Sequence, residues 1–177
     1  MKATGVVRRI DDLGRIVIPK EIRRTLRIRE GESIEIFIDE DNSIVLKKYS
    51  PMTDLEGFAK SYIESIYTNV KHNIFVTDRD NIIAISGPLK KKYIGQPISN
   101  FLENSLKKRD NYLEKHKKNI EVSPGLEEEA TYCISTINVN GDSIGLVIIL
   151  STEKEMTELE EKTTKIAAEF IAKNIED

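Results

Sequence analysis

The stretch Gly14–Ile36, GRIVIPKEIRRTLRIREGESIEI, constrains this chain more than any other. It packs an extended run, a proline, a basic helical run, a glycine turn and a second extended run into 23 residues. Pro19 brings a fixed φ that suits the first turn of a helix, where its missing N–H costs little. Gly31 stands where the chain leaves the helix and enters Ser33–Glu40. The spacing predicts a helix over Lys20–Arg29. At 100° per residue Ile22 and Leu26 share one face, and Lys20, Arg23, Arg24 and Arg27 share the opposite one. A short apolar anchor with a cationic outer face suits a surface that meets phosphate.

Charge makes the same point locally and hides it globally. The 177 residues carry a net charge of −3. Residues 1–29 hold nine Lys/Arg against three Asp/Glu, residues 30–50 hold two against six, and the remainder is acidic. A surface field is set within about a Debye length, roughly 8–10 Å, so the basic first segment counts by itself. Around it, Ala3–Ile10 and Arg15–Ile18 read as short strands joined by a turn at Asp11–Gly14. SIEIFIDE (Ser33–Glu40) and SIVLKK (Ser43–Lys48) read as two more, joined at Asp41–Asn42. About fifty residues with four short strands and one helix bury too little surface to stand alone. A second copy, with strands interleaved in a shared core, is the simplest remedy.

The run GVVRRIDDLGRIVIPKEIRRTLRIREGESIEI is similar to the N-terminal domain of the AbrB/MazE/SpoVT family, the swapped-hairpin fold. The order Gly-Arg-x-x-x-Pro-Lys-x-x-Arg-Arg-x-Leu is held without a gap, over roughly residues 3–48. The resemblance implies an intertwined dimer that binds double-stranded DNA. It implies that Arg8, Arg15, Arg23 and Arg24 occupy the DNA-facing positions. Lys2, Arg9, Lys20 and Arg27 are placed beside them by charge alone. Arginine favours bidentate contacts with phosphate or guanine edges, and the sequence leaves both open. Glu35, Asp39 and Lys47 read as solvated surface.

Tyr49–Met52 reads as a junction, since Ser50–Pro51 disfavours continuing a helix or strand. The expected division is a DNA-binding domain over 1–49, a linker over 50–54 and a second domain over 55–177. Thr53-x-x-Glu56 has capping-box spacing for an amphipathic helix carrying Leu55, Phe58, Tyr62, Ile66 and Val70. Asn73–Thr77 and Ile82–Ser86 read as strands, Pro88–Tyr93 as a loop and Ile98–Leu113 as a helix. Ile120–Val122 is expected as a short strand and Pro124–Gly125 as a turn. Glu127–Glu129 is expected as a solvated loop. Ala130–Val139 and Ser143–Ser151 flank Asn140-Gly141, a strong hairpin signal. Thr152-x-x-Glu155 is the expected start of a last helix carrying Met156, Leu159, Ile166, Phe170 and Ile175.

That order predicts an α+β domain with an antiparallel sheet. In element order it resembles a GAF domain, a small-molecule sensing fold related to PAS. The resemblance implies oligomerisation, to a tetramer when the first and last helices pair between subunits, and a small-molecule ligand that no residue identifies. The alternative is that both helical stripes cover their own sheet. The Asn-Lys…Phe…Asp-Glu run of cyclic-nucleotide binders is missing, and Cys133 has no clear bilin-attachment counterpart, so neither ligand is expected. A pocket is expected between the sheet and Pro88–Leu113.

Other chemistry is set aside. Cys133 is the single cysteine, which excludes an intramolecular disulfide and fits a reducing cytoplasm. His72, His116 and Cys133 lack metal-ligand spacing. No phosphate loop, nucleophile elbow or zinc motif occurs, so no catalytic residue, cofactor or metal is expected. No run approaches a membrane span, and MKATGVVRR has no apolar signal region. Residues 90–118 hold nine Lys/Arg against three acids, read as a helix's outer face with a second DNA contact as the alternative. Together the two resemblances imply a cytoplasmic, sequence-selective DNA-binding regulator of sporulation genes. The alternative is an antitoxin or another protein-binding module on the same N-terminal fold.

Overall fold

The structure is a computed structural model describing residues 5–176. The chain forms two compact units, Met1–Tyr49 and Ser50–Asp177.

In the first unit, helix α1 covers Lys20–Thr25, with the buried Pro19 at its N-cap (φ −56°, ψ 146°). The helix was expected to reach Arg29 and stops four residues earlier. Ile28 N–H donates to Arg23 O (2.7 Å) and Arg27 N–H to Arg24 O (3.3 Å), with Arg27 at φ 52°. This is the Schellman closure, with arginine in the left-handed position that glycine usually fills. Strands β1 (Ile34–Ile38) and β2 (Ile44–Lys48) pair antiparallel from Ile34↔Lys48 to Ile38↔Ile44.

The two earlier strands expected at Ala3–Ile10 and Arg15–Ile18 are not formed over the described residues 5–18. A strand exists only where another strand answers its N–H and C=O groups, and a single chain supplies no answer here. The turn between them does form. Asp11 N–H donates to Arg15 O (3.1 Å) and Gly14 N–H to Asp11 O (3.0 Å), with Gly14 at φ 76°. Asp39–Ser43 between β1 and β2 repeats the pattern: Asp39 N–H to Ser43 O, Asn42 N–H to Asp39 O, and Asn42 at φ 55°. Both are three-residue hairpin loops ending in a left-handed residue.

The second unit is a five-stranded antiparallel sheet, ordered β4-β3-β7-β6-β5. Its strands are β3 (Asn73–Thr77), β4 (Ile82–Ser86), β5 (Tyr112–Ser123), β6 (Leu126–Val139) and β7 (Asp142–Ser151). Helices α3 (Glu56–Val70) and α6 (Glu158–Glu176) pack on one face through Ala59, Ile63, Ala168 and Ile171 against Ile74, Val76, Cys133 and Ile149. Helices α4 (Lys90–Tyr93) and α5 (Asn100–Lys108) cover the other through Tyr93, Leu102 and Leu106 against Phe75, Ile134 and Ile148. Ile144–Leu150 is continuously apolar because both faces of β7 are buried.

Five details differ from expectation. Residues 90–93, expected within a loop over Pro88–Tyr93, form helix α4. Residues 50–54, expected as a linker, hold a helical turn α2 (Pro51–Asp54) whose Met52 is wholly buried in the core shared by α3 and α6. Residues expected in a helix up to Leu113 already belong to β5 from Tyr112, and that strand runs to Ser123. Glu127–Glu129 lie in β6, paired with Asn119, Ile120 and Glu121. The last helix is capped by Thr157 and Glu160 in place of Thr152 and Glu155. Thr157 N–H and Oγ1–H donate to Glu160 Oε2, and Glu161 N–H to Thr157 O.

Candidate nucleic-acid interface

The cationic face is built on very little interior. Among the described residues of the first unit only Pro19 is buried; Ile18, Ile22, Ile28 and Ile34 are half-buried. Pro19 and Ile22 turn α1 inward, and Lys20, Arg23 and Arg24 are left exposed. Arg23 and Arg24 lie in the last turn, where cations complement the helix dipole. Arg8 and Arg9 are exposed on the extended arm. Lys2 lies outside the described residues. Arg27 was expected on the helical face; the Schellman closure takes it out of helical register, although it stays exposed.

Two carboxylates shape this surface, and neither stood out in the sequence. Asp11 Oδ2 accepts from Arg15 Nε at 2.8 Å, and Asp11 Oδ1 accepts from Arg15 N–H (2.8 Å) and Leu13 N–H (3.1 Å). The backbone and side-chain bonds from Arg15 hold the Asp11 carboxyl below its ordinary range. Glu32 fastens the exit from α1. Its side chain is 6% exposed, with Oε1 3.0 Å from Arg29 Nη1, Oε2 accepting from Arg29 N–H at 2.9 Å, and Lys48 Nζ 3.3 Å from Oε2. Lys48 Nζ also donates to Arg27 O at 3.0 Å. A paired carboxylate and ammonium thereby hold the segment from Arg27 to Arg29. The Asp11-x-x-Gly14-Arg15 turn and the i,i+3 spacing of Arg29 and Glu32 were the available signals.

Outside α1, the first unit also exposes large apolar side chains among its charged ones. Val7 is 89% and Ile38 79% exposed, and Ile10, Leu13, Val17, Ile36 and Ile44 are exposed with them.

In the second unit, cations of residues 90–118 sit against carboxylates among the described residues: Lys90 with Glu64, Lys92 with Glu128, Lys107 with Glu103 and Lys118 with Glu114. Phe75, Tyr93, Ile98, Leu102 and Ile148, all at most 1% exposed, pack together between the sheet and residues 88–113. Tyr93 O–H donates to Glu128 Oε1 at 2.8 Å, and burial with that bond pushes its phenol up to about 12. Among the described residues no group of three His, Cys, Asp or Glu is arranged to hold a metal ion. Among the same residues no helix is long and apolar enough to cross a membrane.

Residues 54–176 match the family described as stage V sporulation protein T C-terminal, transcription factor. Residues 7–54 match the family described as antidote-toxin recognition MazE, bacterial antitoxin. Along 177 residues, 99% of each chain, the sequence is 49% identical to stage V sporulation protein T of Bacillus subtilis (strain 168). Over 51 residues, 29% of this chain and 52% of the other, it is 59% identical to the transition state regulatory protein AbrB of the same organism. In fold, 72% of the chain superposes on 85% of the A. Aeolicus nlh2 GAF domain with a TM-score of 0.52 at 15% identity. The first unit is therefore AbrB-like and the second has a GAF-like fold. With the match running almost end to end, the chain belongs to the stage V sporulation protein T family of transcription factors.

Proposed function

We propose that this chain is a homodimeric, sequence-selective binder of double-stranded DNA that regulates sporulation genes in the bacterial cytoplasm, working by binding and not by catalysis. The observation that carries this is the exposed Arg23–Arg24 pair on a six-residue helix, with Arg15 on a locked turn and Arg8, Arg9, Lys20 and Arg27 on the same unit. Phosphate contacts from this set supply affinity, and base edges with DNA deformability supply selection. Residues 1–48 form the dimer: the unpaired 5–18 arm and the exposed Ile36, Ile38 and Ile44 are what a second copy would cover.

In this reading residues 1–49 are the DNA-binding domain and residues 55–177 serve oligomerisation and signal input. Leu159, Ile166 and Phe170 form an exposed stripe on α6 at helical spacing, which fits pairing of helices into a tetramer. A sensed small molecule would enter between the sheet and α4–α5, where Phe75, Tyr93 and Leu102 pack. The MazE match raises one rival, an antitoxin, which the end-to-end match to stage V sporulation protein T does not favour. Such proteins carry their toxin-binding segment after this fold, whereas here that region is a folded domain with two cores.

The test is a titration of the full-length chain, wild type and Arg23→Ala/Arg24→Ala, against duplex DNA at two salt concentrations. The wild type should lose on the order of 10³–10⁵ in affinity between 50 and 200 mM salt, from about 6–10 phosphate contacts. The double variant should keep its oligomeric state and lose binding. Wild-type binding with a flat salt dependence, or none, would move the search to an acidic protein partner.

A further inference from the structure

One carboxylate holds both the main chain and the side chain of Arg15. Asp11 closes the turn through its own N–H and C=O, and its side chain accepts from Leu13 N–H, Arg15 N–H and Arg15 Nε. The Arg15 side chain is nonetheless 70% exposed, and its terminal nitrogens have no other partner among the described residues. Gly14, at φ 76°, lets the loop close this tightly.

An anion in this place works against simple phosphate binding. It cancels part of the attraction that Arg15 exerts on any duplex, and phosphate contacts are met by a mobile cation in many rotamers. Base-edge contacts differ. Two N–H groups must lie in the plane of two acceptors, so an arginine held in one orientation gains selectivity. We propose that Asp11 is a positioning residue that makes Arg15 a selectivity-determining, base-reading side chain. It occupies Nε, leaves the terminal nitrogens for the base edge, and lowers the attraction to DNA of any other sequence. This inference rests on the DNA-binding reading above.

The experiment compares two duplexes on the full-length chain: one enriched from a random pool by the wild type, and poly(dI-dC). Asp11→Asn keeps a side-chain oxygen for the two backbone N–H groups and removes the charge. The expected result is tighter binding of poly(dI-dC) by Asp11→Asn and a ratio of selected-duplex to poly(dI-dC) affinity lower on the order of tenfold. In an Arg15→Ala background the same substitution should leave the ratio unchanged. Equal tightening on both duplexes, with the ratio preserved, would overturn the proposal and make Asp11 an ordinary surface charge. A drop in the ratio that persists without Arg15 would also overturn it. Circular dichroism and size measurements on Asp11→Asn separate these results from misfolding. A wild type that binds neither duplex would instead overturn the DNA-binding reading itself.

Discussion

His72 sits where α3 hands the chain to β3, 7% exposed, with Nε2 3.8 Å from Glu160 Oε1 at the start of α6. Burial lowers the imidazole below its ordinary 6.5, Glu160 pulls it the other way, and Lys154 adds to the lowering. Burial acts to raise Glu160, but the bonds from Thr157 outweigh it and hold that carboxyl below 4.5. For a histidine with a lowered folded value, the unfolded chain takes up its proton first, so stability is full above about 6.5 and falls as pH drops through that value. Glu160 adds a second loss below 4.5, as its depressed folded value is crossed. The melting temperature should therefore decline between pH 7.5 and 5.5, and His72→Gln should flatten that interval; an unchanged slope in the variant would refute the assignment. The exposure of Arg8, Arg15, Arg23 and Arg24 was legible in the sequence, because a guanidinium with no buried carboxylate partner stays in water. Asp11, Glu32 and the His72–Glu160 pair were not. Each acts across a loop or between elements, where periodicity carries no information.

The elements divide by how local their causes are. The β6–β7 hairpin was readable because Asn140-Gly141 wants left-handed dihedrals at both positions, and they occur at φ 50° and 85°. The end of α1 was not, because a Schellman closure with Arg27 in place of glycine leaves no residue-type signature. Strand β5 was hidden by its Glu114–Lys118 segment, which reads as helix or loop. It lies at the sheet's edge, where lysines discourage pairing with another chain, and a register break falls within it. Two Thr-x-x-Glu spacings compete for the start of α6, and the one followed by the long helical run wins. Gly145 in β7 has a cause that only three dimensions reveal. A Cβ there would lie 2.1 Å from Thr77 O, a main-chain atom fixed by the β3–β7 ladder. Gly145→Ala should cost about 1–3 kcal/mol, read as a lower urea midpoint. A midpoint equal to the wild type would mean the ladder can shift at no cost.

At the scale of the whole molecule, the two units are stabilised by different means. The second has apolar layers on both faces of its sheet; the first has one buried proline among its described residues and, in the proposed dimer, takes the rest of its core from another copy. The same division made the molecule half readable. Fifty residues with an unbroken motif declared their family, whereas the sheet order and the packing of α4 and α5 depend on contacts between distant segments. The single cysteine turns that division into a built-in instrument. Cys133 is wholly inside the sheet's α3–α6 face, and burial, with Glu160 and Glu161 nearby, pushes its thiol up to about 12. At neutral pH it is neither ionised nor reachable, so iodoacetamide marks only molecules whose sheet has opened. In a urea series the labelled fraction should trace the opening of residues 50–177 alone, staying flat through any earlier loss of DNA binding. One alkylation, read by mass, thus clocks the integrity of the second unit without a fluorophore, a tag or a substitution.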